Sequence, residues 1–109
     1  MAFDVEFTDE FEQCLITLDE DTQKSIFVKV RLLEEMGPNL PFPYSSGVNG
    51  SRHQRMRELR VKHKGQQYRI LYTFDPRRVA VLLLGGNKTG NDRWYEENVP
   101  KADKLYDNY

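Results

Sequence analysis

Val79-Ala80-Val81-Leu82-Leu83-Leu84 is a run of six apolar residues without a polar break. A strand with one face in water alternates apolar with polar residues. A continuous run of this length marks a central strand buried on both faces. The chain must therefore fold around a sheet that holds this strand well inside it. Upstream, Gln67 to Phe74 is β-branched and aromatic-rich, and Met56 to Lys62 alternates, so both read as strands. Lys64-Gly65-Gln66 turns the one into the other. Asp75-Pro76-Arg77-Arg78, with Pro at its second position, closes a hairpin into the apolar run.

The N-terminal third has other periods. Phe3, Val5 and Phe7 alternate with Asp4 and Glu6, as in a half-buried strand. Asp9 with Glu12 three residues on fits a capping box that opens a short helix, whose apolar stripe is Phe11, Cys14, Leu15 and Leu18. Asp19-Glu20-Asp21 places negative charge at the start of a second helix, where the macrodipole favours it. Ile26, Val30 and Leu33 recur along that helix until Gly37-Pro38 stops it, completing a helical hairpin. Residues 37–54 carry no period and read as a long structureless connection, a kind that is usually functional or mobile. Ala102, Leu105, Tyr106 and Tyr109 fall at helical spacing behind Pro100, which reads as the entry to a C-terminal helix.

Residues 1–109 fit one domain on length alone. With 39% hydrophobic and 30% charged residues, the chain is neither a fibre nor a disordered tail. No apolar run approaches the ~20 residues that span a bilayer, and the first residues lack the pattern of a signal peptide. A cytoplasmic protein without a membrane partner is expected. Cys14 is the single cysteine, so an intrachain disulfide is excluded, and it reads as core.

Charge is distributed unevenly. The net charge is −1, yet residues 51–70 hold seven Lys or Arg against Glu58 alone. Residues 1–50 hold ten acids against three bases, and read as scaffold. A cationic island of this kind is a surface a polyanion would seek. In the 67–74 strand, Tyr68, Ile70, Tyr72 and Phe74 form a core face, so Arg69 emerges mid-strand on the opposite face. Met56, Glu58, Arg60 and Lys62 share one face of the neighbouring strand. If the two strands pair antiparallel, Glu58 or Arg60 stands beside Arg69. Two readings of Arg69 then stand open: a structural pair with Glu58, or a phosphate-binding cation.

Three stretches carry a resemblance: Met56-Arg57-Glu58-Leu59-Arg60, Tyr68-Arg69-Ile70-Leu71-Tyr72, and Leu83-Leu84-Gly85-Gly86-Asn87-Lys88-Thr89-Gly90. Together they resemble the RelE/ParE toxin superfamily, in particular its HigB-type, phage-derived branch, over most of the chain. The resemblance implies an α+β fold, a β-α-α-β-β-β sheet with the N-terminal helical hairpin on one face and a C-terminal helix. It also implies the toxin of a type II toxin–antitoxin module, a ribosome-dependent endoribonuclease that cuts mRNA in the A site. The implied partner is a cognate HigA-like antitoxin with a helix-turn-helix, through which alone operator DNA would be contacted. By the same resemblance Arg69 contacts the scissile phosphate, Lys88 is the basic residue after the last strand, and Tyr95 is the aromatic near the C-terminus. Arg57, Arg60 and Lys62 lie where relatives hold RNA, and Arg52, Arg55 and Lys64 extend that basic stretch. The chain departs from some relatives at 87–93, where Lys88 and Arg93 replace a run of bases.

RNA carries its own nucleophile, the 2′-OH beside each phosphate, so such an enzyme must align groups, move protons and offset charge. Arg69 and Lys88 suit the last task. Tyr95 could stack on a base or move a proton, with neighbouring cations expected to lower its pKa. Glu58, His53 and His63 are further acid–base candidates, although a surface histidine is the commoner case. The histidines and acids show no metal-ligand spacing, and no cofactor is expected. Gly85-Gly86-Asn87-Lys88-Thr89-Gly90 lacks the phosphate-loop pattern. Trp94-Tyr95 reads as a core or interface anchor. Two other functions fit the same residues: a non-catalytic ParE-like gyrase inhibitor, and a non-enzymatic RNA- or protein-binding module.

Overall fold

In the computed structural model, which describes residues 2–109, the elements run β1 (Val5–Phe7), α1 (Asp9–Ile16), α2 (Glu20–Met36), β2 (Ser45–Gly47), β3 (Arg57–His63), β4 (Gln66–Phe74), β5 (Ala80–Asn87) and α3 (Trp94–Asp107). The sheet order is β1-β5-β4-β3-β2, with β1 parallel to β5 and every other pair antiparallel. The apolar run thus becomes a central strand, as its composition requires. This is an α+β fold with the expected order of elements and one strand more. The 37–54 stretch is not structureless: it holds a 3-10 turn at Gly37–Asn39 and the edge strand β2.

The two faces of the sheet are covered by different helices. Leu59, Val61, Tyr68, Ile70, Tyr72 and Leu82 pack with Phe11 and Leu15 of α1 and Ile26, Val30 and Leu33 of α2. On the other face Leu71, Val81, Leu83 and Leu84 pack with Trp94, Val99 and Ala102 of α3. Cys14 is half-buried at the edge of this arrangement, short of the full core position expected.

Local signals explain most of the boundaries. The cap of α1 is Thr8, one residue before the expected Asp9; its Oγ1 accepts from Phe11 N at 3.1 Å and donates to Leu83 O. Asp19 caps α2, accepting from Thr22 N at 2.8 Å. Gly37 ends α2 at φ 56°, where a Cβ would lie 2.4 Å from the Phe3 ring, so only glycine fits. Lys64 and Gly65 both have positive φ (50° and 77°), the geometry of a two-residue hairpin turn. α3 begins at Trp94, not at Pro100, which lies inside it. An interior proline costs about 3 kcal/mol; burial of Trp94, Val99 and Ala102 offsets it, and Pro100 itself is exposed.

One irregularity positions the site. Leu71 pairs with Leu84 but Tyr72 pairs with Leu82, so Leu83 is the extra residue of a β-bulge. Leu83 and Leu84 consequently both face α3. Past the bulge, Gly85 turns to Phe11 and Gly86 to Trp94.

Candidate functional site

Arg69 lies on the α3 face of β4, in register with Arg60 of β3 on one side and Gly86 of β5 on the other. The Trp94 indole sits against Gly86, where even a Cβ would come within 3.0 Å of its Nε1. That contact brings the first turn of α3, and with it Tyr95, over the Arg69 guanidinium.

Two arginines directly opposed on one face repel. The cost is electrostatic and grows as the pair is taken out of water. Glu58, two residues along β3, offsets it. Its Oε1 is 3.3 Å from Arg69 Nε and its Oε2 accepts from Arg60 Nη1 at 3.3 Å. The Tyr95 hydroxyl donates to Glu58 Oε1 at 2.5 Å, and Arg69 Nε reaches the same hydroxyl at 3.3 Å. Arg69 and Glu58 are 4% and 5% exposed, so the pair is desolvated. Both open readings of Arg69 thus find a basis: it is paired with Glu58, yet its bonding is incomplete. Nη1 donates to Tyr68 O at 3.0 Å and Nη2 to Gln67 Oε1 at 3.1 Å. Each Nη carries two hydrogens, so one on each is left without a protein acceptor among the described residues.

Tyr95 corrects one expectation. Burial, followed by its hydrogen bond to Glu58 and that group's negative charge, raises its pKa; Arg69 opposes this but does not prevail. Tyr95 is thus a phenol at neutral pH, a proton donor in its ground state. Lys88, half-buried just after β5, holds its Nζ 5.8 Å from the Tyr95 ring centroid.

Beside this cluster runs a groove lined by Lys29, Pro43, Tyr44, Arg60, Val61, Lys62, Gln67 and Arg69, four bases and no acid. Strand alternation brings Arg60, Lys62 and Arg69 together, but no local signal marks Lys29, which α2 contributes from the acidic half. That half thus contributes one side chain to the wall of the groove. The rest of the basic island disperses. Arg52 pairs with Asp107 at 2.5 Å, and Lys64 with Asp21 at 3.6 Å. Arg57 lies on the α2 face, bonded through Nε to Ser45 Oγ at 2.9 Å. Arg55 lines a separate hollow with Thr73 and Tyr106. Neither histidine joins the cluster: His53 Nε2 is 2.8 Å from Asp107, and His63 Nδ1 is 2.6 Å from Ser25 Oγ. Among the described residues no group of three His, Cys, Asp or Glu side chains could hold a metal ion, and no helix is long and apolar enough to cross a membrane.

Comparisons with known proteins agree with this architecture. The family model for phage-derived Gp49-like proteins (DUF891) matches residues 13–107. The toxin candidate HigB3 of Mycobacterium tuberculosis is 43% identical over 101 residues, which are 92% of this chain and 87% of that protein. The toxin candidate HigB2 of the same organism is also 43% identical, over 91 residues; the match takes in 82% of this chain but only 45% of HigB2. Among solved structures, a free mutant of Escherichia coli toxin RelE matches with a TM-score of 0.64 at 14% identity, over 93% of this chain and 97% of that one. The archaeal RelE–RelB complex of Pyrococcus horikoshii matches with a TM-score of 0.60 at 15% identity, over 84% and 99% of the two chains.

Proposed function

The chain belongs to the phage-derived Gp49-like family, of the HigB and RelE toxin type, and on that premise we propose that it is the toxin of a type II toxin–antitoxin module that acts as a ribosome-dependent mRNA endonuclease. The observation that carries the reading is the convergence of Arg69, Glu58 and Tyr95 within 3.3 Å of one another at a groove that bears bases and no acid.

In this reading the groove holds the RNA backbone, and the free Nη hydrogens of Arg69, with Lys88, offset the charge that develops on the attacked phosphate. The 2′-oxygen forms a bond to the adjacent phosphorus while its proton passes through the Tyr95 phenol to the Glu58 carboxylate. The bond from phosphorus to the 5′-oxygen breaks, and that oxygen leaves with a proton from water. The products are a 2′,3′-cyclic phosphate and a 5′-hydroxyl. The RelE–RelB complex among the structural relatives supports a cognate antitoxin as the partner. We extend this to a HigA-like, helix-turn-helix antitoxin, to mRNA on the ribosome, and to the cytoplasm.

The test is to map mRNA ends in a translating extract with wild type and Tyr95→Phe. Wild type should cut only translated messages. Tyr95→Phe, which removes one hydroxyl from a folded protein, should cut roughly 10²- to 10⁴-fold more slowly. The Arg69–Glu58 pair favours a second reading, because a paired arginine already has a structural task. A non-catalytic toxin of the gyrase-inhibiting kind would then arrest growth and trigger DNA-damage signalling while mRNA stays intact. Equal cutting by the phenylalanine variant would remove Tyr95 from the chemistry.

A further inference from the structure

The segment between Leu40 and Ser45 presents two aromatic rings to solvent beside the cationic groove. Phe42 is 69% exposed and Tyr44 39%. Exposed aromatics of this size cost solvation free energy, so a pair of them in one short loop calls for an explanation. The core does not supply one, because both rings lie outside it. Each ring is instead matched with a cation: Arg60 Cζ lies 5.2 Å from the Phe42 centroid, and Lys29 Nζ 5.2 Å from that of Tyr44. The backbone fixes the loop against β3, with Arg60 N donating to Tyr44 O at 2.9 Å and Ser45 held in β2. The rings are thus exposed on an anchored segment.

A flat apolar ring flanked by cations has the composition of a nucleotide subsite. A base stacks on the ring, and the phosphate beside it meets Lys or Arg. Duplex RNA hides its base faces, so the arrangement selects an unpaired strand. A neutral protein surface is less well matched, since Lys29 and Lys62 line the groove without an acidic partner among the described residues, while Arg60 and Arg69 are already answered by Glu58.

We propose that the 40–45 loop and the adjoining half of β3 form a second RNA subsite, in which a single-stranded base stacks on Phe42 or Tyr44 while Lys29 and Lys62 hold the flanking phosphates. This rests on the reading of the protein as one that acts on RNA. It goes beyond that reading in placing a base contact outside the Arg69–Glu58–Tyr95 cluster and in assigning a role to residues that the basic island does not include. The subsite would bind the strand a short distance from the reacting phosphate and set its direction through the groove.

The experiment is equilibrium binding of a short unstructured 2′-O-methyl oligoribonucleotide carrying one 2-aminopurine. That strand cannot be cut, so binding is read independently of cleavage. Phe42 is largely exposed, and Phe42→Ala should keep the circular dichroism of wild type. It should weaken binding roughly fivefold to a hundredfold and restore the 2-aminopurine emission that stacking quenches, if the base stacks on that ring. Tyr44→Ala is the matching variant for the other ring, and Phe42→Trp should retain binding. Lys62→Glu should weaken binding and flatten its salt dependence. The proposal is overturned if both alanine variants bind and quench as wild type does, or if wild type does not bind the strand at all. It is also overturned if the variants lose only the antitoxin, which would make the rings a protein contact. Intact mRNA in the translating extract together with stacking in this assay would reject the nuclease reading and leave the subsite standing.

Discussion

Glu58 joins the three polar side chains of this face, since its two oxygens face Tyr95, Arg69 and Arg60. Replacing it with Ala leaves two opposed guanidinium groups with no counter-charge and one of them buried. Glu58→Ala should therefore lose about 3 kcal/mol of stability, read from the urea midpoint. Tyr95→Phe removes one hydrogen bond and should lose only about 1 kcal/mol. If the two variants were equally destabilised, Glu58 would not be the keystone of the face. The separate folded states of these variants also let activity and stability be read apart. At this scale the sequence was partly informative: alternation put Arg69 and Glu58 on one face, but it could not show that α3 would bury them. The direction of the Tyr95 pKa escaped for the same reason. Counting nearby cations in the sequence ignores desolvation, which becomes known only when a helix closes over the ring.

Among the elements, α1 and α3 depend on contacts at their first turns. Thr8 caps α1 and also donates to Leu83 O, joining the helix to the bulged strand. Thr8→Ala should lose about 1 kcal/mol for the cap alone, and more if the Leu83 carbonyl is left unpaired. Thermal unfolding against Asp19→Ala, which loses only a cap, separates the two contributions. Gly86 is the seat of α3. Gly86→Val should force Trp94 outward and carry Tyr95 with it, so that cleavage falls further than stability; measuring cleavage beside near-ultraviolet circular dichroism tests this. The strand β2 was illegible because Ser45-Ser46-Gly47 has no β-propensity. It forms because β3 offers it a free edge and because Ser45 bonds to the Tyr72 hydroxyl at 2.6 Å. Pro100 is the stronger local signal for a helix start, yet burial of Trp94 sets the start of α3 six residues earlier.

At the scale of the molecule, the distal end of α3 is held to the body by charge. Arg52, then His53, hold Asp107 below its ordinary pKa, and Tyr109, then Arg77, do the same for Glu6. Groups with depressed folded values stabilise the fold above their unfolded pKa, near 3.8 for Asp and 4.5 for Glu, and lose that contribution as pH falls through the folded values. Acidification from pH 5 towards 2 should thus loosen the C-terminal turns of α3 before the sheet unfolds. Hydrogen exchange along α3 would show it, and uniform protection down to global unfolding would refute it. Because both acids are exposed, 0.5 M salt should produce a weaker version of the same loosening.

The sheet's centre, the faces of β3 and β4, the helical hairpin and the family are legible in the order of residues, because each rests on local periodicity or on motifs read in chain order. That order also marks residues 51–70 as the cationic part of an almost neutral chain. Which of those charges stand together follows from the packing of the whole chain. It paired Arg52 and Lys64 with acids from distant elements, tied Arg57 to Ser45 of the edge strand, and recruited Lys29 from the acidic half to a groove with Arg60, Lys62 and Arg69. Local patterning fixes the direction in which a side chain leaves the backbone. Which other charge it meets, and how much water remains between them, depends on packing between residues far apart in the chain.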